Sequence, residues 1–227
     1  MEKLNREDVE GGRIIAIAGD RIAEIIVNET RKISDMLELV RYIVTNSNSI
    51  EKNGMTEIIN KAKDLKSEIE ILRKDVLAYI SKTYPALMNK EEWIRITAKV
   101  YSVSDKVLGI MYRLEYYITK GWQIDTRISS SILDLLDSLS IMVKTFIAMT
   151  SSLIVNPPHS LTLCEKIENL ERDIDEKYRK TSFAILDTMK LLHQTILIKE
   201  IVDMLEDTSD IIEDTVSDFR LILLNKL

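Results

Sequence analysis

The sequence predicts an all-α protein of six helices, on three observations. Helix breakers are sparse: 227 residues contain six Gly and three Pro, too few for a sandwich, a barrel or another loop-rich fold, whose turns draw on these residues. Apolar residues recur at three- and four-residue spacing, and acids interrupt the isoleucine-rich runs at that same period rather than in strict alternation. The composition, 45% hydrophobic and 30% charged, supplies a core under a solvated surface and excludes a disordered chain. One Cys excludes a disulfide scaffold and a Cys-based zinc site, and fits a reducing compartment. Two His leave little for histidine-centred metal or acid–base chemistry. The formal net charge is −6 and no basic stripe answers a phosphate backbone, so nucleic acid is not an expected partner. Cations or basic protein surfaces are.

The breakers mark the elements in order. Gly11-Gly12 precedes an amphipathic run over 13–46 that ends in Asn46-Ser47-Asn48-Ser49. Gly54 separates it from a run over 55–83, stopped by Tyr84-Pro85 because the residue before proline is driven out of the helical region. Asn89 is the expected N-cap of a third helix that reaches Gly121 as its C′ residue. Asp125 caps a fourth, which ends before Asn156-Pro157-Pro158-His159, and Ser160 or Thr162 opens a fifth. No Gly or Pro marks the last boundary; Leu191-Leu192-His193-Gln194-Thr195 is the predicted turn before a sixth helix to about Asn225. Each helix has about 30 residues and a length of roughly 45 Å. The charged start, Met1 to Asp8, has no apolar signal region, and the apolar stretch from Ser131 to Val155 carries Asp134, Asp137 and Lys144. Neither a secretory signal nor a spanning helix is expected, and the expected setting is soluble and intracellular.

Two overlays point to an internal repeat. Ser104-Asp105 falls on Ser209-Asp210 at a shift of 105 positions, and Glu70-Ile71-Leu72 on Glu168-Asn169-Leu170 at a shift of 98. Helices two and three then correspond to five and six, and one to four. The expected organisation is a three-helix bundle over 1–121 and a second over 122–227, arranged as a pseudo-repeat.

The acids carry the chemistry. Between Lys199 and Arg220 there is no basic residue, while Glu200, Asp203, Glu206, Asp207, Asp210, Glu213, Asp214 and Asp218 all fall there. At 100° per residue Glu206, Asp210 and Asp214 stack in one row, with Glu213 and Asp207 beside it. Like charges one turn apart destabilise a helix, so a row without interleaved Lys invites an external positive partner. Helix five offers a second row, Glu165, Glu168, Glu171 and Asp175. If the two helices are antiparallel neighbours, two Glu-x-x-x-Asp pairs face each other, a density of carboxylate oxygens that suits hard or borderline cations. A solvated acidic face with no bound ion accounts for the same spacing.

The segment Leu205-Glu206-Asp207-Thr208-Ser209-Asp210-Ile211-Ile212-Glu213-Asp214-Thr215-Val216-Ser217-Asp218, preceded by Lys199-Glu200-Ile201-Val202, resembles the C-terminal signature of PhoU-like proteins. It is most similar to the branch that accompanies Pit-type phosphate permeases. Ile167-Glu168-Asn169-Leu170-Glu171-Arg172-Asp173-Ile174-Asp175 resembles the same family's second motif. The resemblance implies two three-helix bundles with metal clusters bound by Glu/Asp-x-x-x-Asp motifs on their surface. By position it assigns metal-ligand roles to Glu171, Asp175, Glu206, Asp210 and Asp214, for a divalent or ferric ion (Fe, Mn, Mg or Zn). It further implies a non-enzymatic accessory role in phosphate transport, with the cytoplasmic face of a phosphate permease as partner, a location in the cytoplasm or at the membrane periphery, and self-association left open. The first half departs from the pattern. Tyr101 stands where the first acid of helix six is expected, Arg73 and Leu77 stand where the helix-five pair is expected, and only Asp105 survives.

Other chemistries find no support. A di-iron carboxylate site needs Glu-x-x-His pairs, but Asn156 precedes His159 by three residues and Lys190 precedes His193. No Gly-x-Gly-x-x-Gly, Walker loop or Gly-x-Ser-x-Gly elbow occurs. Cys164 reads as buried and inert, the nine Met as core filler, and Trp93 and Trp122 as anchors at opposite ends of helix three. Tyr112, Tyr116 and Tyr117 read as a packing patch. The alternative to a phosphate-transport accessory is a helical scaffold or self-associating bundle whose acidic row serves only solvation.

Overall fold

The computed structural model describes residues 6–83 and 87–225, with side chains from residue 18 onward. Six helices follow in order: α1 (Arg6–Thr45), α2 (Lys52–Thr83), α3 (Lys90–Thr119), α4 (Thr126–Val155), α5 (Pro157–Thr188) and α6 (Leu192–Leu224). No strand occurs among the described residues.

The helix ends show which local signals count. Gly121 adopts a φ of 71°, the left-handed C′ conformation that glycine takes without a Cβ clash. The Asp125 carboxylate accepts the Arg127 backbone N–H at 2.8 Å and caps α4. Asn89 holds the N-cap position of α3, in a left-handed conformation and without a side-chain cap bond. Four expected boundaries shift. α1 runs through Gly11-Gly12 and α2 starts before Gly54, because glycine costs a helix roughly 1 kcal/mol but removes no hydrogen bond. α5 begins at Pro157, capped by the Asn156 side chain, which accepts the His159 N–H at 3.2 Å; proline in the first helical turn loses a donor that had no partner anyway. The last turn is shorter and earlier than expected, at Met189 to Leu191. The proposed stop at Tyr84-Pro85 lies outside the described residues.

α1, α2 and α3 pack on one another, as do α4, α5 and α6, and the two triplets meet along α1–α4 and α3–α6. This is the doubled three-helix arrangement expected from the overlays. Buried apolar side chains form one continuous cluster from Ala18 to Leu223. Trp93 on α3 and Phe146 on α4 both meet Phe219 on α6 edge-on, at 5.8 and 5.6 Å between ring centres. At the other end of α3, Trp122 packs against Tyr116, Tyr117 and His193. α4 has the length and hydropathy of a membrane span, yet α1, α5 and α6 enclose it and most of its apolar side chains are buried. Where α3 crosses α6, Gly109 lies under Met204: a Cβ at 109 would come within 2.4 Å of the Met204 methyl.

Candidate metal centre

α6 lies between α3 and α5, and its acids divide between these two neighbours. Toward α3 they meet cations from the same chain. Arg113 pairs with Glu200, Lys106 with Asp207, Lys99 with both Asp214 and Asp218, and Arg95 with Asp218. Steps of seven, seven and four residues along α6 are matched by equal steps back along α3, the heptad spacing of two antiparallel helices in contact. Asp218 is nearly buried and is held by Lys99 at 2.8 Å and Arg95 at 2.9 Å. The sequence-based expectation that the row lacks an internal counter-charge is therefore corrected for this half. α3 supplies it from about a hundred residues away.

Toward α5, Asp203 accepts the Tyr178 hydroxyl at 3.0 Å, and the acids that follow it meet other acids. Glu171, Asp175 and Asp210 each place a carboxylate oxygen within 4.8 Å of the others. Glu206 stands one turn before Asp210 and Glu213 less than one turn after it, and both are half-buried. Of the five residues assigned ligand roles, Glu171, Asp175 and Asp210 form the close group and Glu206 flanks it. Asp214 does not join: it turns toward α3, where the Lys99 ammonium lies 2.7 Å from its carboxylate. In the register toward α5 its place is taken by Glu213, whose carboxylate feels Glu168 and Asp210. The signal for Glu213 was present, since 206, 210 and 213 follow the four-then-three spacing of a packed helix face.

The electrostatics are those of crowded acids that are only partly neutralised. Burial first, then Asp210, Asp207, Asp175 and Asp203, pushes Glu206 up to about 7. Burial and then Asp175 and Asp207 raise Asp210. Burial and then Asp175, Asp210 and Glu213 raise Glu171, with Arg172 opposing. Burial and then Glu168 raise Glu213, against Arg220. Two internal cations reach the margin: Arg179 pairs with Asp175 at 2.8 Å and Arg220 with Glu168 at 2.7 Å. An all-oxygen, all-anionic donor set drawn from two helices fits a hard cation such as Mg²⁺, Mn²⁺ or Fe³⁺, and fits Zn²⁺ less well, since zinc favours nitrogen and sulfur.

The remaining candidates stay outside this chemistry. Cys164 is buried with its sulfur 3.5 Å from that of Met149, and burial pushes its thiol up to about 11. His159 is exposed, and His193 packs at a tilt against Trp122, 4.7 Å between ring centres.

Two crystal structures of proteins from Shewanella oneidensis share this fold. One, described as a PhoU-like phosphate regulatory protein, superposes with a TM-score of 0.64 and 12% identity over 91% of this chain and 100% of its own. The other, described as a PhoU-like protein, superposes with a TM-score of 0.67 and 12% identity over 90% and 99%. No family model and no curated protein matches the sequence. At that identity the likeness shows the fold.

Proposed function

We propose that this chain, whose fold is PhoU-like, is a non-enzymatic regulatory protein of inorganic phosphate transport that acts by binding. It holds a divalent or ferric ion at the α5–α6 seam and docks on the cytoplasmic face of a Pit-type phosphate permease, in the cytoplasm at the membrane periphery. The convergence of Glu171, Asp175 and Asp210 carries the metal half of this reading. The phosphate half rests on the motif resemblance in α5 and α6 and on the fold shared with a phosphate regulatory protein.

A bound cation supplies charge neutralisation and a bridge between two helices. The chain's own residues do the rest. Glu171 and Asp175 come from α5 and Asp210 from α6, so ligation ties the helices across the seam, while Glu206 and Glu213 add negative potential on either side. A net charge of −6 complements permease loops, whose cytoplasmic sides are rich in Lys and Arg. Elemental analysis of the purified chain tests the metal half. Mn, Fe or Mg is expected, and Glu206→Ala with Asp210→Ala is expected to remove most of it. A native chain that takes up none of these ions overturns it. Failure to bind permease-containing vesicles at any metal level overturns the transport half.

The second reading, a helical scaffold with a solvated acidic face, is favoured by Arg179 on Asp175 and Arg220 on Glu168, which partly neutralise the seam from within. It expects no bound ion and no dependence of permease binding on metal.

A further inference from the structure

The two bundles present the same seam with opposite contents. The shifts of 98 and 105 positions place Arg73 on Glu171, Leu77 on Asp175, Tyr101 on Glu206 and Asp105 on Asp210. Arg73 faces α3 across the α2–α3 seam, where it meets Tyr101, and Glu171 faces α6 across the α5–α6 seam, where it meets Asp210. In the second bundle this level holds Glu171, Asp175, Glu206 and Asp210, with Arg179 reaching Asp175 along α5 and no cation of the described residues placed among the three converging carboxylates. In the first it holds two cations.

Lys66 reaches from α2 into the level of Tyr101 and Asp105, with its side chain 7% exposed. An ammonium group has three donors and no acceptor, and this one has three partners. The Ser104 hydroxyl accepts at 2.6 Å, the Asp105 carboxylate lies at 2.6 Å, and the Tyr101 ring centre lies at 3.4 Å. The Arg73 guanidinium covers the same ring at 4.0 Å, an attraction to the ring's negative face. From the core side, the fully buried Glu29 of α1 lies in the field of both cations. On the outer side, the Tyr101 hydroxyl donates to Glu70 at 3.4 Å. The acids of this level thus surround cations carried on covalent tethers.

We propose that the α2–α3 seam is a cation site filled permanently by the chain's own Lys66 and Arg73, so that metal governs only the α5–α6 seam. The first clause stands on the geometry of the first bundle; the second rests on the metal reading above. Tethered cations cannot dissociate, so α1 to α3 keep one structure at every metal concentration, and the second bundle alone responds. The protein is a one-sided sensor in which one seam is fixed and the other adjustable.

Three measurements test this. Lys66→Met is expected to lower the melting temperature by about 5 °C or more, equally in Mn²⁺ and in chelator; a loss that Mn²⁺ repairs overturns the proposal. Hydrogen exchange of the native chain is expected to accelerate in α5 and α6 on chelation but not in α2 and α3; equal acceleration in both seams overturns it. Arg73→Glu, Leu77→Asp, Tyr101→Glu and Lys66→Ser, grafted into the Glu206→Ala, Asp210→Ala background, are expected to restore bound Mn²⁺ by elemental analysis. A folded graft without Mn²⁺ overturns the proposed correspondence. If the native chain takes up no Mn²⁺, the metal reading fails separately, and Lys66→Met still decides the first clause.

Discussion

Glu29 shows what a single residue can hide. It lies in register with Ile22, Ile26 and Ile33 on the buried face of α1, at 0% exposure, and neither carboxylate oxygen has a hydrogen-bond partner. Burial pushes it up to about 8, although Arg73 and Lys66 pull the other way. Between the ordinary carboxylate range and pH 8 the folded chain therefore binds a proton that the unfolded chain has released. The associated stability is complete below pH 4.5 and is lost as pH rises through about 8. Glu29→Gln is accordingly expected to match the native chain at pH 5 and to exceed it by about 4 kcal/mol at pH 9 in urea unfolding. Parallel pH profiles for the two proteins would refute this. The sequence shows an acid at a core-facing helical position. It does not show that the nearest cations commit themselves to Tyr101, Ser104 and Asp105.

At the scale of the element, α6 was legible as an acidic row but not in its azimuth. Spacing along one helix defines which residues stack. It does not define which neighbour each stack meets, and Asp214 and Glu213 lie on either side of that division. α3 decides the matter by presenting Arg95, Lys99, Lys106 and Arg113, a contact between segments about a hundred residues apart that no local pattern reports. The pairs differ in worth. Lys99→Met leaves the nearly buried Asp218 with Arg95 alone and is expected to cost about 1–3 kcal/mol in denaturant melts. Arg113→Ala, whose partner Glu200 is half exposed, is expected to cost less than about 1 kcal/mol. On the α5 side, Mn²⁺, Fe³⁺ or Mg²⁺ is expected to raise the melting temperature more than Na⁺ at matched ionic strength. A ligand of the folded state adds about 2.7 kcal/mol at a hundredfold excess over its dissociation constant, whereas screening only weakens repulsion. Identical shifts with monovalent and multivalent salt would leave those carboxylates as solvated surface.

Across the whole molecule, the six-helix count and the doubling were readable because breakers mark most helix ends and two short overlays relate the halves. The shared core was not. The division expected between residues 121 and 122 follows from the sequence overlays, whereas the apolar cluster is continuous, and in it Phe219 of α6 touches rings from both triplets. The intact chain is expected to melt in one transition by circular dichroism. Residues 1–121 expressed alone are expected to lack a cooperative melt, because the α3 and α1 faces that meet α6 and α4 would be bare. Two resolved transitions in the intact chain would show instead that the triplets fold separately.

The α3–α6 ladder also has a weakness built into its own regularity. A repeat of seven residues looks the same after a slip of seven. Moved by one heptad in one direction, Lys120 would meet Glu200, Arg113 would meet Asp207 and Lys106 would meet Asp214, three opposite-charge pairs out of register. Moved the other way, Lys106 would meet Glu200 and Lys99 would meet Asp207, while Glu92 would confront Asp214, so the heptad charges alone discriminate weakly between registers. The unambiguous marks are those that do not repeat. Asp218 is gripped by two cations one turn apart, and the gap left by Gly109 accepts Met204. The shared apolar core thus supplies the strength of the junction between the two halves, regular charge its approximate alignment, and two irregular residues its address.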